Sequence, residues 1–195
     1  MRKSRIVSVV VVLAAALFFV PLLEAQALIS AGTTSAFVDQ EFTLPVSIAG
    51  ASDVYAFQFD LDFNPAILQL LSISEGSFLP VAGSTIFVPG AIDNIAGTAT
   101  STADSLVGNI PGATGNGDLV DFTFLAINPG TSSLVLSNGI LLDSSFNEIP
   151  FTTVDGSALV YTPESPWLSG TGCLAVMGMF LAKRWHRAGR RAVKT

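Results

Sequence analysis

The stretch Phe57–Phe63 reads FQFDLDF and alternates without a fault. Phe57, Phe59, Leu61 and Phe63 are apolar, while Gln58, Asp60 and Asp62 are polar. Successive side chains of a strand point to opposite faces, so this period of two describes a strand with one dry face and one wet face. Asn64-Pro65 ends it, because proline lacks an N–H and restricts the residue before it. The odd positions belong to a core, and the even positions meet solvent or a partner. Leu119–Leu125 alternates in the same way, with Val120, Phe122 and Phe124 opposite Asp121 and Thr123.

From residue 28 onward no long stretch carries a helical period. Short β-rich runs fall near residues 36–38, 41–48, 54–63, 67–74, 84–88, 97–102, 117–127, 131–136, 140–142 and 150–161. Turn signals separate them at Ala49-Gly50, Asn64-Pro65, Glu75-Gly76, Pro89-Gly90, Asn128-Pro129-Gly130 and Asn138-Gly139, and residues 110–118 form a glycine-rich loop. Many short strands at this spacing predict an all-β sandwich or barrel.

Charge is distributed as unevenly as hydropathy. All nine Lys and Arg lie at the two ends, and residues 28–182 contain none, although they hold 14 of the 15 acids. Such a body has no side-chain cation for ion pairs. It repels nucleic acid and anionic lipid and attracts divalent cations or basic partners. Cys173 is the only cysteine, so no disulfide forms within the chain and the core alone must hold the fold.

The ends read as addresses. Arg2, Lys3 and Arg5 precede an apolar run over residues 6–20, and Ala25-Gln26-Ala27 has the small-x-small form of a cleavage site. Residues 1–27 are therefore expected to be a helical secretory signal, cut by signal peptidase after Ala27. At the other end a Pro-rich turn over 162–166 precedes an apolar span over 167–182 and a basic tail over 183–195. Fifteen helical residues rise only about 23 Å, short of a hydrocarbon core of about 30 Å. The tail's charge keeps it cytoplasmic while the body is exported.

The layout of turn, short glycine-bearing span and arginine tail resembles the PEP-CTERM sorting signal of Gram-negative bacteria. Pro163 and Glu164 match its Pro-Glu-Pro core, and Ser165 replaces the last proline, with Pro166 one place later. The resemblance implies cleavage by an exosortase-type membrane peptidase and delivery to the cell surface or extracellular matrix. Without cleavage the helical span anchors the chain in the inner membrane.

The body has a resemblance of its own. TTSAFVDQEFTLPVSIAGASDVYAFQFDLDFNPAILQLLSISEGSFL is similar to the N-terminal half of a cohesin-like domain. GNGDLVDFTFLAINPGTSSLVL and the ending TTVDGSALVY resemble the later strands of that family. The match runs over nearly all of residues 28–161 and implies a nine-stranded jelly-roll β-sandwich, akin to certain carbohydrate-binding modules. It also implies that one sheet face, to which the strand at 57–63 contributes, docks a dockerin-like protein. Gln58, Asp60 and Asp62 fall on that outward face, and Ser101 and Thr123 are expected on the same sheet.

Catalysis has few candidates. The only His, His186, is in the basic tail, and Cys173 lies in the span, so the body has no His-dependent triad and no Schiff-base lysine. Asp60 and Asp62, with Cβ atoms about 7 Å apart along the strand, are a carboxylate pair of the kind glycosidases use, but such a pair is ordinarily a solvated face. Carboxylates at Asp60 and Asp62, or Asn116 with Asp118, offer oxygen ligands for a structural calcium, but no dedicated calcium loop is present and no other metal or cofactor is expected. The alternative to protein docking is polysaccharide binding, for which the body supplies only Tyr55 and Tyr161 as tyrosines and no Trp before Trp167. A plain matrix or biofilm protein is the third class.

Overall fold

The computed structural model of the chain describes residues 26–163. The expected signal helix, the sorting residues Glu164 and Ser165, the apolar span and the basic tail lie outside the described residues. No helix of the described residues is long and apolar enough to cross a membrane.

Eleven strands follow one another along the chain: β1 (Ala27–Ala31), β2 (Thr33–Phe37), β3 (Glu41–Asp62), β4 (Leu68–Glu75), β5 (Thr85–Val88), β6 (Ala91–Asp93), β7 (Thr98–Leu106), β8 (Ala113–Ala126), β9 (Gly130–Asp143), β10 (Phe151–Val154) and β11 (Gly156–Tyr161). They form two layers that share β3. Its first half pairs with β1 and β8, giving a sheet in the order β10-β1-β3-β8-β4. Its second half pairs with β7 and β9, giving a sheet in which β5 and β6 border β7, followed by β3, β9, β11 and β2.

The aromatic faces found in the sequence meet between the layers. Phe57, Phe59, Leu61 and Phe63 are all buried, as are Val120, Phe122 and Phe124. Phe59 packs on Phe122 at 6.3 Å between ring centroids, and Phe63 meets Phe124 edge-on at 5.3 Å. Ring pairs offset or tilted in this way add to the burial of their area. Leu44, Leu68, Leu134 and Leu141 are among the fully buried side chains of the same core.

The expected count of nine strands is corrected to eleven. The N-terminal strand breaks at Gly32, sending β1 to one layer and β2 to the other. The run at 150–161 breaks at Asp155, whose carboxylate accepts the Leu136 N–H at 3.1 Å. The three-residue β6 is too short to announce itself in the sequence. Two expected turns are not turns. At Ala49-Gly50 the strand continues through register shifts, with Gly50 at φ 67° and Asp53 at φ 55°. Asn138-Gly139 is likewise a shift inside β9, with Asn138 at φ 50°. Bulges of this kind bend a strand without ending its ladder.

Asp53 pins the corner where β3 changes layer. Its carboxylate accepts the Gly112 N–H at 2.7 Å and the Ser144 hydroxyl at 2.7 Å. These hydrogen bonds, the Ser144 hydroxyl first, hold the Asp53 carboxyl below its ordinary value.

Candidate docking face

The outer side of the second layer is laid out in rungs across β5, β7, β3 and β9. One rung runs Ile86–Ser105–Ala56–Leu142, and the next runs Val88–Ala103–Gln58–Ile140. Together they line an open groove of about 390 Å³. Ile86 is 63% exposed, Val88 49% and Ile140 43%. These side chains are contiguous across neighbouring strands, and a contiguous exposed apolar patch is the usual mark of an interaction surface.

The three residues expected on this face divide into three roles. Gln58 sits in the groove between Ala103 and Ile140, the one side-chain amide among apolar neighbours. Asp60 is tied down: it accepts the Ser101 N–H at 2.6 Å and the Asn138 side-chain amide at 2.7 Å. Ser101 and Asn138 both have positive φ, at 58° and 50°. The Asp60 carboxylate thus stabilises bulges on both strands that flank β3. Asp62 is exposed and lies level with Thr98 and Val135. Ser101 does share the sheet. Thr123 does not: it lies on β8 in the other layer, beside Thr43, and that expectation is corrected.

Sequence reasoning missed the apolar half of the face. Ile86-Phe87-Val88 and Ile140-Leu141-Leu142 are apolar at every position, so alternation cannot say which side chains point outward. A strand that is apolar on both faces inside an amphipathic sandwich is itself a signal that its outer face is covered by something.

The other chemistry named in the sequence finds local partners. Asn116 accepts the Gly50 N–H at 2.8 Å, and Asp118 accepts the Ser47 hydroxyl at 2.6 Å. Among the described residues no group of three or more His, Cys, Asp or Glu side chains is arranged to hold a metal ion. Tyr55 is buried and donates to the Gly108 carbonyl, so it offers no sugar-stacking surface. Tyr161 is half exposed beside Phe37, but their planes are tilted by 51° and share no flat platform.

Ala27, expected just before the signal cleavage, heads β1 and is buried level with Phe151. Pro163, the first sorting residue, is exposed two places beyond the last strand.

Comparison with known proteins gives one family and one fold. A family model described as Cohesin domain matches residues 28–160. The fold is similar to a non-cellulosomal cohesin of the hyperthermophilic archaeon Archaeoglobus fulgidus, at 19% identity and TM-score 0.59 over 70% of this chain and 92% of that one. It is similar to the structure of the Coh-OlpA–Doc918 type I cohesin–dockerin complex from Clostridium thermocellum, at 14% identity and TM-score 0.59 over 70% of this chain and all of that one. A type II cohesin domain from the cellulosome of Acetivibrio cellulolyticus matches at 15% identity and TM-score 0.57 over 69% and 95%. Comparison with curated protein sequences returned no match.

Proposed function

The chain belongs to the cohesin family, whose domains are non-catalytic binding modules, and from that premise we propose that it docks a dockerin-like protein on the outer face of β5-β7-β3-β9. The observation that supports this most is the apolar groove between Ile86, Val88, Ile140 and Leu142, with Gln58 at its centre. Its dimensions suit the side chains of one amphipathic element of a partner, inserted as anchors with a polar rim around them. Asp62 lies on that rim, and Asp60 keeps the rungs in register beneath it. A body without Lys or Arg selects a partner whose own rim is basic.

Delivery follows from the two ends. Signal peptidase cuts after Ala27, leaving Leu28–Ala31 to fill β1. An exosortase-type peptidase recognises Pro163, Glu164 and Ser165 and releases the module to the surface or matrix of a Gram-negative cell. An uncleaved chain remains in the inner membrane by its span. Polysaccharide binding is the second reading, for which the exposed but tilted Phe37–Tyr161 pair supplies no flat stacking platform.

The experiment is a capture assay with the full chain immobilised. Dockerin modules from the same genome are passed over it beside a polysaccharide array. Retention of a dockerin by the native chain, lost in Ile140→Asp, supports docking on this face. Retention of glycan alone, or of dockerin equally by Ile140→Asp, contradicts it.

A further inference from the structure

β4 is the last strand of the first layer and pairs only with β8, so one of its two edges has no strand beside it. Residues 66–74, along that edge, read AILQLLSIS and carry no charge and no proline. Proteins blunt such edges with lysine, proline or a bulge, because an uncharged apolar edge is a template for another chain. Residues 28–182 contain no lysine with which to do so. One side chain meets the edge instead. Leu70 gives both of its backbone groups to Asn94: its N–H donates to Asn94 Oδ1 at 2.8 Å, and Asn94 Nδ2 donates to its carbonyl at 2.9 Å. A carboxamide carries the same donor and acceptor as a peptide unit, so Asn94 stands on β4 as one unit of a neighbouring strand would. The turn that holds it is fixed. Asp93 Oδ1 accepts the Ile95 N–H at 2.8 Å and the Ala96 N–H at 2.9 Å. The Gly97 N–H donates to the Asp93 carbonyl at 2.8 Å, and the Gly97 carbonyl accepts the Phe63 N–H at 2.8 Å. Gly97 does this at φ 77°, where the Phe63 carbonyl and Pro65 leave no room for a Cβ. β2, the last strand of the second layer, ends in the same way. Its Phe37 N–H donates to Gln40 Oε1 at 3.0 Å, and its Phe37 carbonyl accepts the Gln40 N–H at 3.0 Å.

We propose that Asn94 is a plug: it occupies the edge of β4 on which a second copy of this chain would otherwise add, strand against strand. The occupant follows from symmetry and charge. Two β4 edges are identical, so antiparallel pairing about a two-fold axis makes a self-complementary contact. Copies of an all-acid body repel one another elsewhere, but residues 66–74 carry no acid. Leu71, 39% exposed beside the plugged residue, adds apolar area to such a contact. Loss of the carboxamide leaves one donor and one acceptor of Leu70 bare, and the backbone of a second β4 satisfies both. The plug thus does for this edge what lysine does on other sheets, in a body that has none. The edge lies in the other layer from the β5-β7-β3-β9 groove, so the plug stands independently of the docking reading.

The test compares the native full chain with Asn94→Ala in mild detergent, by hydrogen exchange and by sedimentation. In dilute solution the Leu70 amide of the variant should exchange about tenfold faster than in the native chain, while Phe59 and Phe122 stay protected. Between about 1 and about 200 µM, protection of residues 68–73 should return in the variant as its mass doubles relative to the native chain, which should change in neither respect. Asn94→Ala combined with Leu71→Lys should keep the native mass at every concentration, because pairing would bring two lysines together. Asn94→Ser, too short to reach both groups of Leu70, is read in the same way if Asn94→Ala folds poorly. Unchanged Leu70 exchange, or a variant that holds the native mass throughout, would overturn the plug. So would association that Leu71→Lys leaves intact, since the copies would then meet on another surface.

Discussion

Asp60 shows how a residue on the proposed docking face can serve that face without touching a partner. Both its oxygens are taken by neighbouring strands. Asp60→Ala should therefore cost about 2 kcal/mol in urea unfolding, because two donors lose a charged acceptor. Asp62→Ala, on an exposed side chain, should stay within about 0.5 kcal/mol. Equal stability for the two variants would show that Asp60 is only a surface acid. Asp53 makes a prediction about pH. Its carboxyl is lowered in the folded chain, so its contribution is present above the ordinary value of 3.8 and fades as pH falls through the lowered one. Thermal melts of Asp53→Asn should lose part of the acid-side decline seen in the native chain, and an unchanged acid limb would refute the corner role.

Strands differ in how much of themselves they disclose. The face assignment of β3 from Phe57 to Phe63 and of β8 from Val120 to Phe124 was legible because strict alternation leaves one arrangement per strand. Both sets are buried. Phe59→Ala should accordingly cost about 3–5 kcal/mol, read by chemical denaturation, since Phe122 has nothing to replace the lost ring. What alternation cannot show is continuity. Gly50 and Asn138 look like turn residues because they tolerate positive φ, yet here the same tolerance serves bulges inside long strands. The apolar half of the groove was hidden for a different reason. Ile86 and Ile140 have apolar neighbours on both sides in sequence, and only pairing with β7 and β3 shows that they point outward. Ile140→Asp should unfold within about 1 kcal/mol of the native chain while abolishing partner capture. A large loss of stability would mean that Ile140 belongs to the core instead.

At the scale of the molecule, charge works on both stability and recognition. The described body carries only acids, so raising the pH adds self-repulsion that no internal ion pair offsets. The same field would draw in the basic partner proposed above, and association should slow and weaken as salt rises from about 0.05 to 0.5 M. Salt-independent association would remove electrostatics from the account. The proposed address, a leader cleaved after Ala27 and a sorting tail after Tyr161, would bring such a body to a surface where a partner meets it. Mass spectrometry of the exported chain should then find its last residue close to Glu164.

The central claim is that one outer sheet face receives a protein. Hydrogen exchange of the full chain, with and without a dockerin module encoded in the same genome, tests it most directly. Slowed exchange confined to residues 56–60, 86–88, 101–105 and 138–142 is the predicted result. Slowed exchange on the β10-β1-β3-β8-β4 face, or none with any such module, would contradict it.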